Sequence, residues 1–143
     1  MTRVYFYFNV LDKQQTIAEM LHAGIAKRRE MTISLENEEA AHELAAFLWH
    51  QDESRFLPNV MTTSEMAELT PVNLHWQDAP LHQDDMLINL TVNQPSFFSR
   101  FRHLIELVGT DEADKVAART RFKFYRDRGY EIKSTDYAQE KNQ

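Results

Sequence analysis

The sequence contains no cysteine. That absence removes disulfide staples, thiolate nucleophiles and cysteine-based zinc sites together, and it suits a reducing compartment. Glycine is nearly as scarce, with Gly24, Gly109 and Gly129 scattered singly. Neither GxGxxG nor GxxxxGK[ST] occurs, so no backbone cradle for phosphates follows any strand and nucleotide hydrolysis is not expected. Long apolar runs are missing as well: nothing approaches the ~20 residues that span a bilayer. The N-terminal VYFYF has neither an extended basic lead-in nor a small-residue cleavage site, so the expectation is a cytoplasmic protein, neither exported nor membrane-bound.

What remains is ordinary globular material. The 143 residues are 43% hydrophobic and 27% charged, enough for one domain with its own core. Six histidines raise the question of metal, and His75, His82, Asp84 and Asp85 lie close in sequence. They match no ligand spacing, and His and Asp are common in hydrophilic turns, so neither a metal nor a cofactor is expected. No GxSxG elbow supports a hydrolase. Asn89-Leu90-Thr91 forms a glycosylation sequon inside an expected strand, where the match is accidental.

Hydrophobic spacing organises the chain. VYFYF (4–8) reads as a central strand covered on both faces. Ile17, Met20, Leu21 and Ile25 recur at helical spacing from Lys13 to Arg29, and TISLE (32–36) follows as a strand. Asn37 caps a helix with Glu38 and Glu39 in its first turn and Leu44, Phe47 and Leu48 on its buried side, ending near Trp49. The segment 50–59 reads as a loop; VNLHW (72–76) and MLINL (86–90) read as short strands. SFFSRFRHLIELVG fits both periods in parts, and the expectation is helix to about Arg102, then strand to Val108. Thr110 or Asp111 caps a long helix to Arg128, with Gly129 just past its end. YEIKS is expected to pair briefly, and residues from about 135 to 143 to fray as a polar tail. This alternation describes a three-layer α/β/α sandwich with a mostly parallel sheet.

Charge is distributed unevenly. The formal net charge is −6, yet residues 115–128, KVAARTRFKFYRDR, carry six cations against Asp127 alone. That local +5 leaves −11 on the rest of the chain, which disfavours general coating of nucleic acid. At 100° per residue, Lys115, Arg119, Lys123 and Arg126 fall within an arc of about 80°, with Phe122 at its edge. Like charges at this spacing repel. A solvated face is the bland reading of such a run; an apolar notch at Phe122 and Val108, ringed by cations, instead fits an acidic peptide ending in a bulky residue. A direct single-strand binder using the same helix is the rival. Trp49 with Phe56, Leu57 and Pro58 is either a lid packed on the core or a docking surface anchored by aromatics.

Four stretches carry a family likeness: VYFYF; LWHQDESRFLPN with Leu48, Trp49, Ser54, Phe56, Leu57, Pro58 and Asn59; DMLINL from Asp85 to Leu90; and AARTRFKFYRDRGYEI with Arg119, Lys123, Tyr125, Arg126, Gly129 and Tyr130. In this order the sequence resembles, nearly end to end, the chi subunit family of bacterial DNA polymerase III. The resemblance implies a single chi-type α/β domain over 1–143, related to nucleotide-binding folds but without the phosphate loop. It implies no catalytic site and two protein partners, with any DNA contact indirect. One partner is the acidic, Phe-ending C-terminal tail of the single-stranded DNA-binding protein, held by Val108, Arg119, Phe122 and Lys123 with Arg126 as an outer contact. The other is the psi subunit of the clamp loader, docked at Trp49, Phe56, Leu57 and Pro58, a surface that a helicase could occupy instead. Where one member of the family has tyrosine, Phe122 keeps the stacking surface without the hydroxyl.

Overall fold

The computed structural model describes residues 1–50, 58–76 and 79–138. Seven strands form one sheet: β1 (Arg3–Phe8), β2 (Met31–Ser34), β3 (Asn59–Met61), β4 (Val72–His75), β5 (Met86–Asn89), β6 (His103–Leu107) and β7 (Ile132–Asp136). Their order is β3-β4-β2-β5-β6-β1-β7, and every pair is parallel. Parallel neighbours require crossovers, and three of them carry helices: α1 (Lys13–Ala26) between β1 and β2, α2 (Glu38–Trp49) between β2 and β3, and α3 (Glu112–Asp127) between β6 and β7.

Alternation along the strands divides the interior into two layers. Ile33, Leu74, Ile88 and Ile105 point to one face, where they pack with Ile17 and Leu21 of α1 and Leu44 and Leu48 of α2. Val4, Phe6, Leu87 and Leu104 point to the other, where Ala118 and Tyr125 of α3 meet Phe98 and Phe101. The molecule is therefore an α/β/α sandwich, as the element order suggests, with a sheet that is wholly parallel among the described strands.

Local signals set several boundaries. Asn37 accepts the Ala40 N–H at 2.8 Å, and Asp111, of the two candidates, caps α3 by accepting from Asp114 N at 3.3 Å. Gly129, with φ of +82°, closes α3: its own N–H donates to Arg126 O, and that of Tyr130 donates to Tyr125 O. The same paired arrangement ends α1 early. Arg28 takes the left-handed conformation (φ +57°) and Arg29 N–H donates to Gly24 O. The helix expected to reach Arg29 thus stops at Ala26, without the glycine that would mark such a stop.

Other expectations are corrected. The VYFYF strand is interior but next to the edge, because the crossover from β1 to β2 passes β6 and β5. Between Pro95 and β6 there is only a 3-10 turn at Phe98–Arg100. Too few residues separate Pro95 from His103 for a helix to recover its nucleation cost, and Phe98 stacks edge-on against Tyr125 and Tyr130, both at 5.1 Å. The segment 50–59, read as loop, ends in the edge strand β3. At the other edge β7 extends to Asp136, and the Tyr137 hydroxyl donates to Glu19 at 2.5 Å, so regular structure continues beyond residue 135. No helix among the described residues is long and apolar enough to cross a membrane.

Candidate functional site: a cationic cleft beside the last helix

A cleft of about 680 Å³ runs between α3 and the β1–β7 border of the sheet. One wall is helical. Lys115, Arg119, Lys123 and Arg126 line it, with Phe122 and Ala118 between them. The opposite wall and floor come from Phe6 and Phe8 of β1, Val108 and Gly109 after β6, and Ser134 of β7. All five residues expected at the tail site, Val108, Arg119, Phe122, Lys123 and Arg126, lie on this single cleft. Phe122 meets Phe6 edge-on at 5.2 Å, which fixes an aromatic floor under the cations. Val108 is buried, 7% exposed, and is tied to the strand ends by its N–H to Tyr7 O (2.8 Å) and its carbonyl to Val10 N–H (3.0 Å).

The cationic wall is weakly compensated. Arg119 stands 3.7 Å from Glu112, with both side chains about two-thirds or more exposed. Arg126 reaches Asp127 at 3.4 Å, again on the surface. Solvent and salt screen such pairs. Lys115 and Lys123 make no ion pair among the described residues. The arc therefore presents its charge outward, into the cleft and solvent.

Two cations of the same stretch, both outside the arc that helical periodicity delineates, are used differently. Arg128 lies over the Phe124 ring, 3.5 Å from its centroid. Arg121 turns inward. It is 3% exposed, donates from Nε to Glu106 Oε1 at 3.0 Å and from Nη1 to Val92 O at 2.9 Å. Tyr125 donates its hydroxyl to Glu106 Oε2 at 2.7 Å, and Asn89 donates to both oxygens at 3.2 Å. Burial raises the Glu106 carboxyl above its ordinary value, against the pull of Arg121, Tyr125 and Asn89. Burial and the adjacent carboxylate push the Tyr125 phenol far up, which leaves it a donor. Arg121 and Tyr125 are one turn apart and grip one carboxylate, so the rotation of α3 about its axis is set and the cationic arc is aimed at the cleft. Asn89, the sequon residue, is 1% exposed and committed to this network.

Above the cleft, Asp114 accepts the Gly109 N–H at 2.7 Å and pairs with Lys13 at 2.9 Å. Burial opposes its ionisation, but these two partners hold its carboxyl below the ordinary range. The clasp joins the start of α1 to the start of α3.

The second expected surface is only partly in view. Trp49 ends α2 and is 65% exposed, and Pro58 is half-buried; Phe56 and Leu57 lie outside the described residues. Of the side chains weighed as metal ligands, Asp85 is engaged by Arg29 (2.8 and 2.5 Å) and Glu30 N–H (3.1 Å), while His75 pairs with Thr62 Oγ1 at 3.2 Å. No group of three candidate ligands converges among the described residues.

Residues 1–133, which include all of α3 and most of the cleft, match the family model described as "DNA polymerase III chi subunit, HolC". The chain belongs to the DNA polymerase III chi subunit family. Among its relatives is the DNA polymerase III subunit chi of Pseudomonas aeruginosa, 32% identical over 136 residues that cover 92% of this chain and 94% of the relative. The subunit chi of Haemophilus influenzae is 32% identical over 105 residues, 73% of each chain. That of Escherichia coli K12 is 26% identical over 141 residues, covering 91% and 96%. Phe6, Phe8 and Ser134 were not found by sequence reasoning as parts of the cleft. Only the pairing of β1 with β7 puts them beside α3, and no local signal announces that pairing.

Proposed function

We propose that this chain is a non-catalytic replication adaptor of the bacterial cytoplasm. It links the DNA polymerase III clamp loader, through psi, to the single-stranded DNA-binding protein. The acidic, Phe-ending tail of that protein occupies the α3 cleft: the terminal ring enters over Phe122 and Val108, and its carboxylate and the preceding acidic side chains meet Arg119 and Lys123 in charge-assisted hydrogen bonds. Arg126 is an outer contact. The observation that supports this reading is the cleft itself, four cations facing an aromatic floor in a chain of net charge −6. Phosphate of bare nucleic acid is the poorer ligand, because −11 elsewhere repels a long polyanion.

A short tail buries less than a standard interface, consistent with a micromolar constant, about −8 kcal/mol. Several tails on one coated strand raise the effective concentration, so each link exchanges quickly while the assembly holds. Trp49, Phe56, Leu57 and Pro58 form the contact to psi, with a helicase as the competing occupant. DNA is reached only through the partners, and no membrane is involved.

The test is binding of a labelled acidic peptide with a free C-terminal Phe. Arg119→Ala or Lys123→Ala weakens it more than tenfold, and amidation of the peptide weakens it too. Equal binding of the amidated peptide overturns the carboxylate clamp. Steep salt-dependent binding of a bare oligonucleotide, with no response to the peptide, replaces the adaptor with a direct single-strand binder. Phe56→Ala loses the polymerase-side partner and keeps the peptide.

A further inference from the structure

Charge of one sign fills the cleft. Lys115, Arg119, Lys123 and Arg126 supply it, the polar groups beside them are Asn9 and Ser134, and among the described residues no carboxylate and no histidine lines the walls. The carboxylates that approach these cations, Glu112 and Asp127, lie outside the lining and on the surface. The other component is aromatic. Phe8 is 39% exposed, and half-buried Phe122 rests edge-on against Phe6. The strand end that carries Phe8 is held in place: Asn9 adopts a left-handed backbone (φ +59°) and donates from Nδ2 to Asp136 Oδ2 at 3.1 Å, which ties β1 to β7. The volume of about 680 Å³ lies in the ~300–1,000 Å³ range of sites that enclose drug-sized ligands. A small polyphosphate that carries a flat ring matches the charge, the aromatic wall and the size together.

Length separates such a ligand from a nucleic acid. The −11 on the rest of the chain repels a polyanion that runs past the cleft. A small anion stays within the local field, because charges beyond a Debye length of about 8 Å are largely screened. The missing glycine-rich motifs exclude a backbone cradle, but Arg and Lys side chains hold phosphate oxygens directly. We propose that the cleft binds a purine nucleoside triphosphate, phosphates on the α3 cations and base stacked on Phe8, and that this ligand competes with the acidic tail. The competition rests on the function proposed above; the binding does not. No lining group is a base that would activate water, so the nucleotide leaves unhydrolysed. Occupancy ties the hold on the tail to the concentration of free nucleoside triphosphate, the class of substrate that a polymerase consumes.

Isothermal titration of ATP, adenosine and inorganic triphosphate into the full chain tests this. ATP binds one to one and at least about fivefold more tightly than inorganic triphosphate, which lacks the stacking ring; adenosine, which lacks the charge, gives no saturable heat. Phe8→Ala removes the ATP advantage and keeps inorganic triphosphate within about twofold. Phe8→Thr, which retains a β-branched strand former at the position, does the same and guards against loss of fold in the alanine variant. With ATP at about ten times its own constant, the labelled acidic peptide binds about tenfold more weakly. Absence of saturable ATP binding, equal affinity for ATP and either control, an ATP advantage that survives both variants, or a peptide constant that ATP leaves unchanged overturns the nucleotide site while the adaptor reading stands. A peptide that fails to bind the unmodified protein at all overturns the adaptor reading, and with it the competition, whatever ATP does.

Discussion

Removing the carboxylate of Glu106 should damage the fold far more than any surface charge could. Glu106 is fully buried and is the common acceptor for Arg121, Tyr125 and Asn89. In Glu106→Leu the Arg121 guanidinium, 3% exposed, keeps only the Val92 carbonyl. Breaking one side of a buried pair costs about 3–5 kcal/mol. The Tyr125 hydroxyl is orphaned as well, at about 1–3 kcal/mol. Against a domain stability of about 5–15 kcal/mol, a loss of roughly 4–8 kcal/mol leaves the single variant marginal or unfolded. Glu106→Leu combined with Arg121→Met should be more stable than Glu106→Leu alone, because no uncompensated charge remains. Urea unfolding followed by the fluorescence of Trp49 and Trp76 reads both, with the slope checked for constancy. A loss below about 1 kcal/mol in the single variant, or strict additivity of the pair, would refute the reasoning, since residues sharing one network must couple.

Stability should also fall on mild acidification. Burial, with a contribution from His82, pushes His75 down to about 4. The unfolded chain binds that proton near pH 6.5, so the unfolded state holds more protons between the two values and folding weakens as pH drops through this window. Between pH 7 and pH 5 the loss from His75 is roughly 2 kcal/mol, and His103, also lowered by burial, acts in the same direction. His75→Gln should remove most of that slope; a flat urea midpoint from pH 7 to 5 in the unmodified protein counts against it. Gly129→Ala should cost about 1–2 kcal/mol from backbone conformation alone, because an added Cβ meets nothing within 4 Å; Gly129→Asn should cost less, and thermal melts distinguish the two. Asp111→Ala should remove the α3 cap and about 1 kcal/mol, read in the same melts.

Much of the local architecture was legible beforehand because its causes lie within a few residues. Asn37 and Asp111 cap their helices through side chains that reach N–H groups three positions on. The cationic arc of α3 follows from helical geometry alone. Errors arose where the cause was remote. Arg28 ends α1 without a glycine, and the aromatics after Pro95 serve the core under α3 instead of forming a helix.

The chain by itself determined the helix faces, the α/β class and the concentration of positive charge at 115–128, all consequences of periodicity and composition. Tertiary structure decided what the cations outside the arc do and what faces the arc. It withdrew Arg121 onto Glu106 and supplied Phe6, Phe8 and Ser134 as the opposing wall. The reason is distance along the chain: the register that sets Phe8 beside Asp136 joins residues more than a hundred positions apart, and only packing of the whole sheet selects it.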